Sequence, residues 1–221
     1  MSAPYEAIAV ERLRAAAEDA AWLVAREDRP DRVAAFVAEE RGLGALEREL
    51  LAASAAAGAH HRHHIARELD ADDARKRPLR VEVESLVGTI AAALREAPIL
   101  ESVAGVCLDP CRVAGALPEP LAPSCEALAK ALASLAPARI ELYWAASTHR
   151  ALVAAAGAAL DKCAGKIART HKDVADLAEA LRGATYVVSS EPRVLDACGT
   201  WLNVAKRVVD ELGVETLTLA T

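Results

Sequence analysis

Three short runs rich in β-branched and aromatic residues interrupt a chain that is otherwise dominated by alanine and leucine. The runs are residues 79–85 (LRVEVES), 138–147 (ARIELYWAAS) and 184–192 (ATYVVSSEP). Such runs predict strands, and the Ala/Leu-rich stretches between them predict helices. Strands that alternate with helices are typical of an α/β fold, so we expect a three-layer domain with a mainly parallel sheet.

Carboxylates stand near the ends of two of these predicted strands. Glu82 and Glu84 belong to the first run, and Glu191 is the next-to-last residue of the third. In open parallel sheets, ligands and reacting groups lie outside the carboxyl ends of the strands. An acidic site is therefore predicted there. The alternative is structural, because alternating VEVE is also typical of a strand with one polar face and Glu191 precedes Pro192 at a predicted helix start.

The first 58 residues have a helical pattern and contain none of these strand-like runs. Pro30 suits the first turn of a second helix, and Gly42 and Gly44 separate it from a third helix over residues 45–57. We predict a small helical module over 1–58, a basic and histidine-rich linker helix over 59–78, and an α/β domain over 79–221. Within that domain, further helices are predicted at 124–135, 150–160, 172–181 and 194–212, and a closing strand is predicted at 214–219.

The predicted linker carries two groups of side chains with possible binding roles. One group is the four histidines His60, His61, His63 and His64. On a helix, His60 and His64 lie one turn apart and could ligate a metal, whereas the alternative is a solvated helix face.

The other group is basic and consists of Arg75, Lys76, Arg77 and Arg80. It predicts a contact with nucleic-acid phosphates, with an ordinary interdomain linker as the alternative.

Composition narrows the classes of function. With 26 Lys and Arg against 32 Asp and Glu, the net charge is -6, so any contact with nucleic acid must be local. Five cysteines without a CxxC pair indicate free thiols and give no support to a zinc knuckle. The charged N-terminus and the lack of a long apolar run predict a cytoplasmic protein without a membrane contact. Nucleotide-binding glycine loops and a GxSxG elbow are missing from the sequence.

The order of these segments resembles an uncharacterised prokaryotic family. In that family a small helical domain, domain-of-unknown-function family 434, precedes a PIN-like nuclease-fold domain. The segments of this chain that carry the resemblance are 12–26 (RLRAAAEDAAWLVAR), 32–51 (RVAAFVAEERGLGALERELL), 81–94 (VEVESLVGTIAAAL), 97–100 (APIL) and 187–196 (VVSSEPRVLD). The resemblance implies a PIN-like α/β domain and leaves a homodimer possible.

PIN-like nucleases hold Mg²⁺ or Mn²⁺ with three or four carboxylates, and a metal-activated water attacks a phosphodiester. In this chain the first-strand motif of the family becomes Glu82-Val83-Glu84-Ser85, and its later Ser-Asp becomes Ser190-Glu191. Two further acidic positions of the family fall on 103–104 and 145–146, which contain no acid. Each strand-end acid that remains is a glutamate, and its extra methylene moves the carboxylate by about 1 Å, enough to cost on the order of 100-fold in rate.

Three functions are consistent with these observations, and the third of them is a partner-binding antitoxin-like or scaffold protein in which the helical module is the interaction surface. The first is a degenerate PIN-like protein that acts as a non-catalytic component and binds RNA or a protein partner. The alternative is a ribonuclease that uses Mg²⁺ or Mn²⁺ in a centre made of Glu82, Glu191 and either Asp109 or Asp173. In that alternative Glu82, Glu191 and Asp173 are the predicted metal ligands.

Overall fold

The computed structural model describes residues 9–24, 26, 29–58, 61–102, 105–109, 116–165 and 167–218. Its helices are α1 (Val10–Val24), α2 (Pro30–Glu40), α3 (Ala45–Gly58), α4 (His61–Ile65), α5 (Val83–Leu94), α6 (Leu121–Ser134), α7 (Arg150–Ala164), α8 (Leu177–Ala180), α9 (Pro192–Ala197) and α10 (Val204–Glu211). The strands are β1 (Pro78–Glu82), β2 (Leu100–Glu101), β3 (Cys107–Leu108), β4 (Arg139–Ala145), β5 (Ala168–Val174), β6 (Val187–Val188), β7 (Trp201–Leu202) and β8 (Leu217–Thr218). The predicted α/β class is confirmed.

The first three helices pack through small residues. Pro30 lies in the first turn of α2, as predicted, and Gly42 has the positive φ of 58° that the turn after α2 requires. The buried side chains of this part are mostly alanine, leucine and valine, which lets the helix axes approach closely. Glu47 is buried among them, where Arg12 and the Gly44 amide donate to its carboxylate.

The segment between the helical part and the sheet is not a single helix, so the predicted linker helix over 59–78 is wrong. It contains the short α4 and a 3-10 helix (Ala71–Ala74). Asp70 and Asp73 cap the 3-10 helix reciprocally. Aspartates and Pro78 favour caps and turns over a long helix, which accounts for the break.

Five parallel strands form the main sheet in the order β5-β4-β1-β6-β7. One face is covered by α5, α6, α7 and α10, which bury Val81, Leu142 and Leu202. The other face buries Tyr143 and Trp201 in a cluster that includes α9 and the first three helices. The domain is therefore a three-layer α/β arrangement. A second sheet has the order β3-β2-β8.

Two predicted helices are wrong in part. The predicted helix over 172–181 begins as the end of strand β5, and only α8 is helical within it. The predicted helix over 194–212 is divided into α9, β7 and α10. Gly199 marks the division, because a Cβ there would lie 2.9 Å from the backbone oxygen of Gly183. The chain turns at this close approach and adds β7 to the sheet.

The closing strand is shorter than predicted, since β8 covers only two residues of 214–219 and residues 219–221 lie outside the described part. Across the described ranges, the model contains no helix with the length and apolar character needed to span a membrane.

Candidate functional site at the switch point of the sheet

The strand order places a topological switch point between β1 and β6, where open α/β sheets form a crevice. Along the chain, the sheet starts at central β1, extends through β4 and β5 to one side, and then continues through β6 and β7 on the other. Connections leave β1 and β6 in opposite directions at such a switch point, and the carboxyl ends of the two strands border an open crevice. Glu82 ends β1, and Ser189, Ser190 and Glu191 follow β6. The structure thus brings predicted residues Glu82 and Glu191 to the same crevice.

Glu82 is held by hydrogen bonds from its neighbours. Its side chain is 1% exposed and serves as the N-cap of α5, because one carboxylate oxygen accepts from the Ser85 amide at 2.9 Å. The other oxygen accepts from Ser189 Oγ at 3.0 Å and also from Ser85 Oγ. These three bonds use most of the roughly four acceptor positions of a carboxylate. Glu82 therefore fastens the start of α5 to the end of β6.

The serines continue this network around the crevice. The Ser190 amide donates to Ser85 Oγ at 3.0 Å, and the Glu191 amide donates to Ser189 Oγ at 3.0 Å. Ser190 Oγ is buried and has no hydrogen-bond partner among the described residues. Buried hydroxyls normally have a partner, so this oxygen is a group to which a ligand in the crevice could bond.

A further hydroxyl and carboxylate lie beside the crevice. Glu84 is in the first turn of α5, where it accepts from Thr148 Oγ1 at 3.1 Å across from the end of β4. Strand β1 ends at Glu82, one residue before the predicted end at Val83, so Glu84 is a helix residue and not part of the polar strand face that the alternating VEVE indicated. The edge of the sheet therefore presents serine and threonine hydroxyls together with Glu84 and Glu191.

The other two predicted acidic residues lie elsewhere. Asp173 is on β5, two strands from β1, which corresponds to about 10 Å. It pairs in register with Trp144, whereas Glu82 pairs with Tyr143, so Asp173 and Glu82 point to opposite faces of the sheet. Asp109 follows β3 in the second sheet. Asp173 was predicted to be in a helix, and that prediction is wrong. Because Asp173 lies on the edge strand β5, its carboxylate is distant from that of Glu82.

The acidic residues of the described ranges do not gather into a metal site. Within those ranges, no group of three His, Cys, Asp or Glu side chains is arranged to hold a metal ion. Glu82 already accepts three bonds, and Asp173 lies on the other face of the sheet. The described carboxylates thus do not fit the Mg²⁺ or Mn²⁺ centre that the resemblance implies.

The predicted basic residues lie at the opposite end of β1. Arg75, Lys76 and Arg77 precede β1 and are exposed. Arg77 and Glu82 are five positions apart in the sequence, which in a strand corresponds to about 16 Å. Arg80 is half-buried and engaged, since it donates to the Thr185 carbonyl at 2.7 Å. The basic residues and the acidic crevice are consequently two separate sites.

A buried glutamate that the sequence analysis did not single out lies between these two ends. Glu141 of β4 is 5% exposed and is surrounded by Arg80 at 3.6 Å, Arg139 at 2.7 Å and Lys172 at 3.2 Å. Burial raises the pKa of Glu141, but the bond to Lys172 and the nearby positive charges outweigh it, so the pKa lies below its ordinary value. The Tyr143 hydroxyl in turn raises the pKa of Lys172. The signal available in the sequence was the alternation of charged residues on β4, β1 and β5, which could have indicated that Glu141 lies beside cations of the neighbouring strands.

No family model, no curated protein and no solved structure matches this chain. The resemblance to the PIN-like family stays a prediction. The assignment of function therefore depends on the geometry described above.

The linker histidines differ in their surroundings. His64 is 1% exposed and its Nε2 lies 2.8 Å from Asp196 Oδ1, while its carbonyl accepts from Trp201 Nε1. The interpretation of this cluster as a solvated face is thus wrong for His64, which fastens the linker to α9 and β7. His63 is exposed, and burial and the Arg67 charge lower its pKa. His60 and the side chain of His61 lie outside the described part.

The cysteines are reduced where the structure describes them. Cys107, Cys125, Cys163 and Cys198 are free, and Cys111 lies outside the described residues. Burial raises the pKa of Cys107 to about 12 and the pKa of Cys125 and Cys198 to about 11. These three thiols are poor nucleophiles at neutral pH.

Proposed function

We propose that this protein is a non-catalytic binding component with a PIN-like domain, and that it contacts the phosphate backbone of single-stranded RNA. The contact surface is formed by Arg75, Lys76, Arg77 and Arg139, here named the basic edge. The observation that carries the proposal is that these four cations are exposed and belong to two adjoining segments, one that precedes β1 and one that begins β4. Exposed Lys and Arg side chains of this kind bind phosphates without reading the bases.

Backbone contacts hold the basic edge together. The Lys76 amide donates to the Ala136 carbonyl, and the Ala138 amide donates to the Arg77 carbonyl, each at 3.0 Å. These bonds hold the segment before β1 against the segment before β4, and Pro78 pairs in register with Arg139. The cations are thus presented from an ordered part of the fold, which limits the entropy lost on binding.

Tyr186 adds an aromatic group beside the basic edge. The Arg77 guanidinium lies 5.8 Å from the centre of the Tyr186 ring, and that ring is partly exposed. Aromatic rings beside cations bind unpaired bases by stacking, which favours a single strand over a duplex. We therefore propose single-stranded RNA as the ligand.

The role of Glu82 supports a non-catalytic function. A metal ligand must offer free carboxylate lone pairs, whereas Glu82 uses its oxygens to cap α5 and to bind Ser189. If Glu82 bound a metal ion, its hydrogen bonds to the α5 amide and to Ser189 would have to break. In the proposed function, Glu82 occupies the position of a catalytic acid of the PIN-like family but serves as a structural residue.

Affinity for RNA will be modest and sensitive to salt. The net charge of the chain is -6, and Asp72 and Asp73 lie close to the basic edge in sequence. Neutralising roughly three or four phosphates of a single strand gives a slope of about -2 to -3 in log K against log salt.

The test is fluorescence anisotropy with a labelled 30-nucleotide single-stranded RNA of mixed sequence. We expect the wild type to bind with the stated salt slope, and the variant with Arg75→Gln, Lys76→Gln and Arg77→Gln to lose at least tenfold in affinity. The matched control carries Arg14→Gln, Arg29→Gln and Arg32→Gln, three exposed arginines of the N-terminal helical part. Equal loss in both triple variants, or no binding by the wild type at 50 mM salt, would contradict the proposal.

A metal-dependent ribonuclease is the second candidate, supported by the meeting of Glu82 and Glu191 in the crevice and by the unpaired Ser190 hydroxyl. Its test is calorimetric titration of Mn²⁺ into the untagged wild type and the Glu82→Gln, Glu191→Gln variant. Binding that disappears in the variant, with circular dichroism unchanged, would favour this candidate. Heat that is equal in both proteins would count against it.

A further inference from the structure

Strand β5 is a long and exposed edge of the main sheet. It pairs with β4 over all seven of its residues, and its other side has no strand partner in the described part of the chain. Ala168, Thr170, His171, Lys172 and Asp173 are all exposed. An edge strand of this length offers a row of unpaired amide and carbonyl groups to another strand.

The side chains of β5 alternate between the two faces of the sheet. On one face, Arg169 pairs with Asp161 of α7 and His171 stacks on Trp144 at a ring distance of 6.1 Å. Asp173 shares that face because it lies two residues beyond His171. On the other face, Lys172 bonds to Tyr143 at 3.0 Å, and Thr170 lies on the same side. The strand thus has one face with a cation and an anion four residues apart.

We propose that a second copy of this chain adds to this edge, so that the two β5 strands pair antiparallel about a two-fold axis at His171. The two five-stranded sheets then become one continuous ten-stranded sheet. The inference concerns β5 alone and does not depend on RNA binding at the basic edge.

The charge pattern selects both the partner and the register. With His171 opposite its own copy, all seven residues pair, and each Arg169 faces Asp173 of the other copy. Thr170 then faces Lys172, so no like charges are opposed. Opposite charges across a strand pair stabilise it, and closed two-fold pairing satisfies both edges at once.

Neighbouring registers are less favourable. A continuous sheet requires that opposite residues share a face, so the register can shift only by steps that keep this parity. One such shift places Lys172 opposite its own copy, and the other places Arg169 opposite His171. Both shorten the pairing to five residues. The longest register is therefore also the only one of these three that places Arg169 opposite Asp173.

The test is sedimentation velocity over 1 to about 100 μM protein, a range in which weak dimers of standard interfaces associate. We expect a concentration-dependent dimer for the wild type. Asp173→Arg turns two attractive cross-strand pairs into repulsive ones and should weaken the dimer about tenfold or more. Glu18→Arg makes the same charge change on exposed α1 and should leave the dimer intact.

Cross-linking measures the register directly. His171→Cys places two thiols at the two-fold axis, so mild oxidation should give a disulfide-linked dimer well above the background of the native cysteines. Glu179→Cys on α8 is the exposed control and should stay at that background. A wild type that remains monomeric at the highest concentration overturns the proposal. So does a dimer that is insensitive to Asp173→Arg and does not cross-link at 171, since another surface or another occupant would then be involved.

Discussion

Two buried glutamates on neighbouring strands of the main sheet are stabilised in different ways. Glu82 on β1 and Glu141 on β4 face the same side of the sheet, and both are almost fully buried. Three neutral groups donate to Glu82, namely the Ser85 amide and the hydroxyls of Ser85 and Ser189. Three cations surround Glu141, namely Arg80, Arg139 and Lys172. A buried carboxylate can thus be satisfied by local geometry or by charge, and the two solutions respond differently to mutation, pH and salt.

Removal of the Glu82 carboxylate should have the largest effect. Glu82→Ala deletes the N-cap of α5 and leaves the Ser85 and Ser189 hydroxyls buried without their acceptor. We expect a loss of about 3 kcal/mol in the free energy of unfolding, from the lost cap and the unpaired donors. Urea unfolding followed by circular dichroism measures it. Glu84→Ala, which removes the partly buried bond from Thr148, is the control and should cost less than about 1 kcal/mol.

The structural role assigned to Glu82 would be wrong if Glu82→Ala were as stable as the wild type or more stable. That outcome is typical of a functional acid kept at a cost to stability. The proposal of a non-catalytic protein would then lose its main support.

Neutralisation of Glu141 should have an intermediate effect. Glu141→Gln keeps the shape but leaves Arg80, Arg139 and Lys172 without their shared anion. Because Arg139 and Lys172 are about half exposed, solvent screens them, and we expect a loss of only about 1 to 2 kcal/mol in the same urea assay. If the loss in the free energy of unfolding equalled that of Glu82→Ala, the expected screening of Arg139 and Lys172 by solvent would be wrong.

The loss of stability caused by Glu141→Gln should depend on pH in a definite direction. The pKa of Glu141 is lowered in the folded state from its ordinary value of 4.5, so its ionised form stabilises the fold above that pH. The stability gap between the wild type and Glu141→Gln should therefore be full at pH 7 and shrink as the pH falls below about 4.5. Urea midpoints at several pH values between 3 and 7 would measure it. A gap that widens on acidification would contradict the assignment.

Salt should have the smallest effect and separate the two sites most clearly. Raising the salt to about 1 M shortens the screening length to about 3 Å, which weakens the interactions of Glu141 with its half-exposed cations. The cost of Glu141→Gln should fall by a few tenths of a kcal/mol, whereas the cost of Glu82→Gln should change less, because the amide and the two hydroxyls that donate to Glu82 are neutral. Equal salt responses of the two variants would remove the distinction between the sites.

The sequence predicted the central part of the main sheet well. Runs such as RIELYWA combine alternating apolar residues with β-branched and aromatic side chains, and β1 and β4 lie where these patterns indicate. The three N-terminal helices also follow their apolar period, their proline and their glycines. In both cases the signal is local, because each residue's face is set by the period of its own element.

Strand β5 and residue His64 were not predictable in the same way. The sequence ARTHKDV has no apolar alternation, because an exposed edge strand buries neither face, and it becomes a strand only through pairing with β4. His64 was read as a solvated residue because Asp196, its partner, is 132 residues away. Contacts of this separation leave no periodic trace in a single sequence.

The candidate site likewise has features that the sequence predicted and features that it did not. The sequence by itself determined that this is an α/β protein, that Glu82 and Glu191 lie at or just beyond the ends of two of its strands, and that a basic run precedes the first strand. Only the tertiary structure decided that Glu82 caps a helix, that Asp173 faces away from it and that the basic run lies against the segment before β4. The physical reason is that local periodicity assigns a residue to an element and a face, whereas the register and order of strands decide which side chains meet.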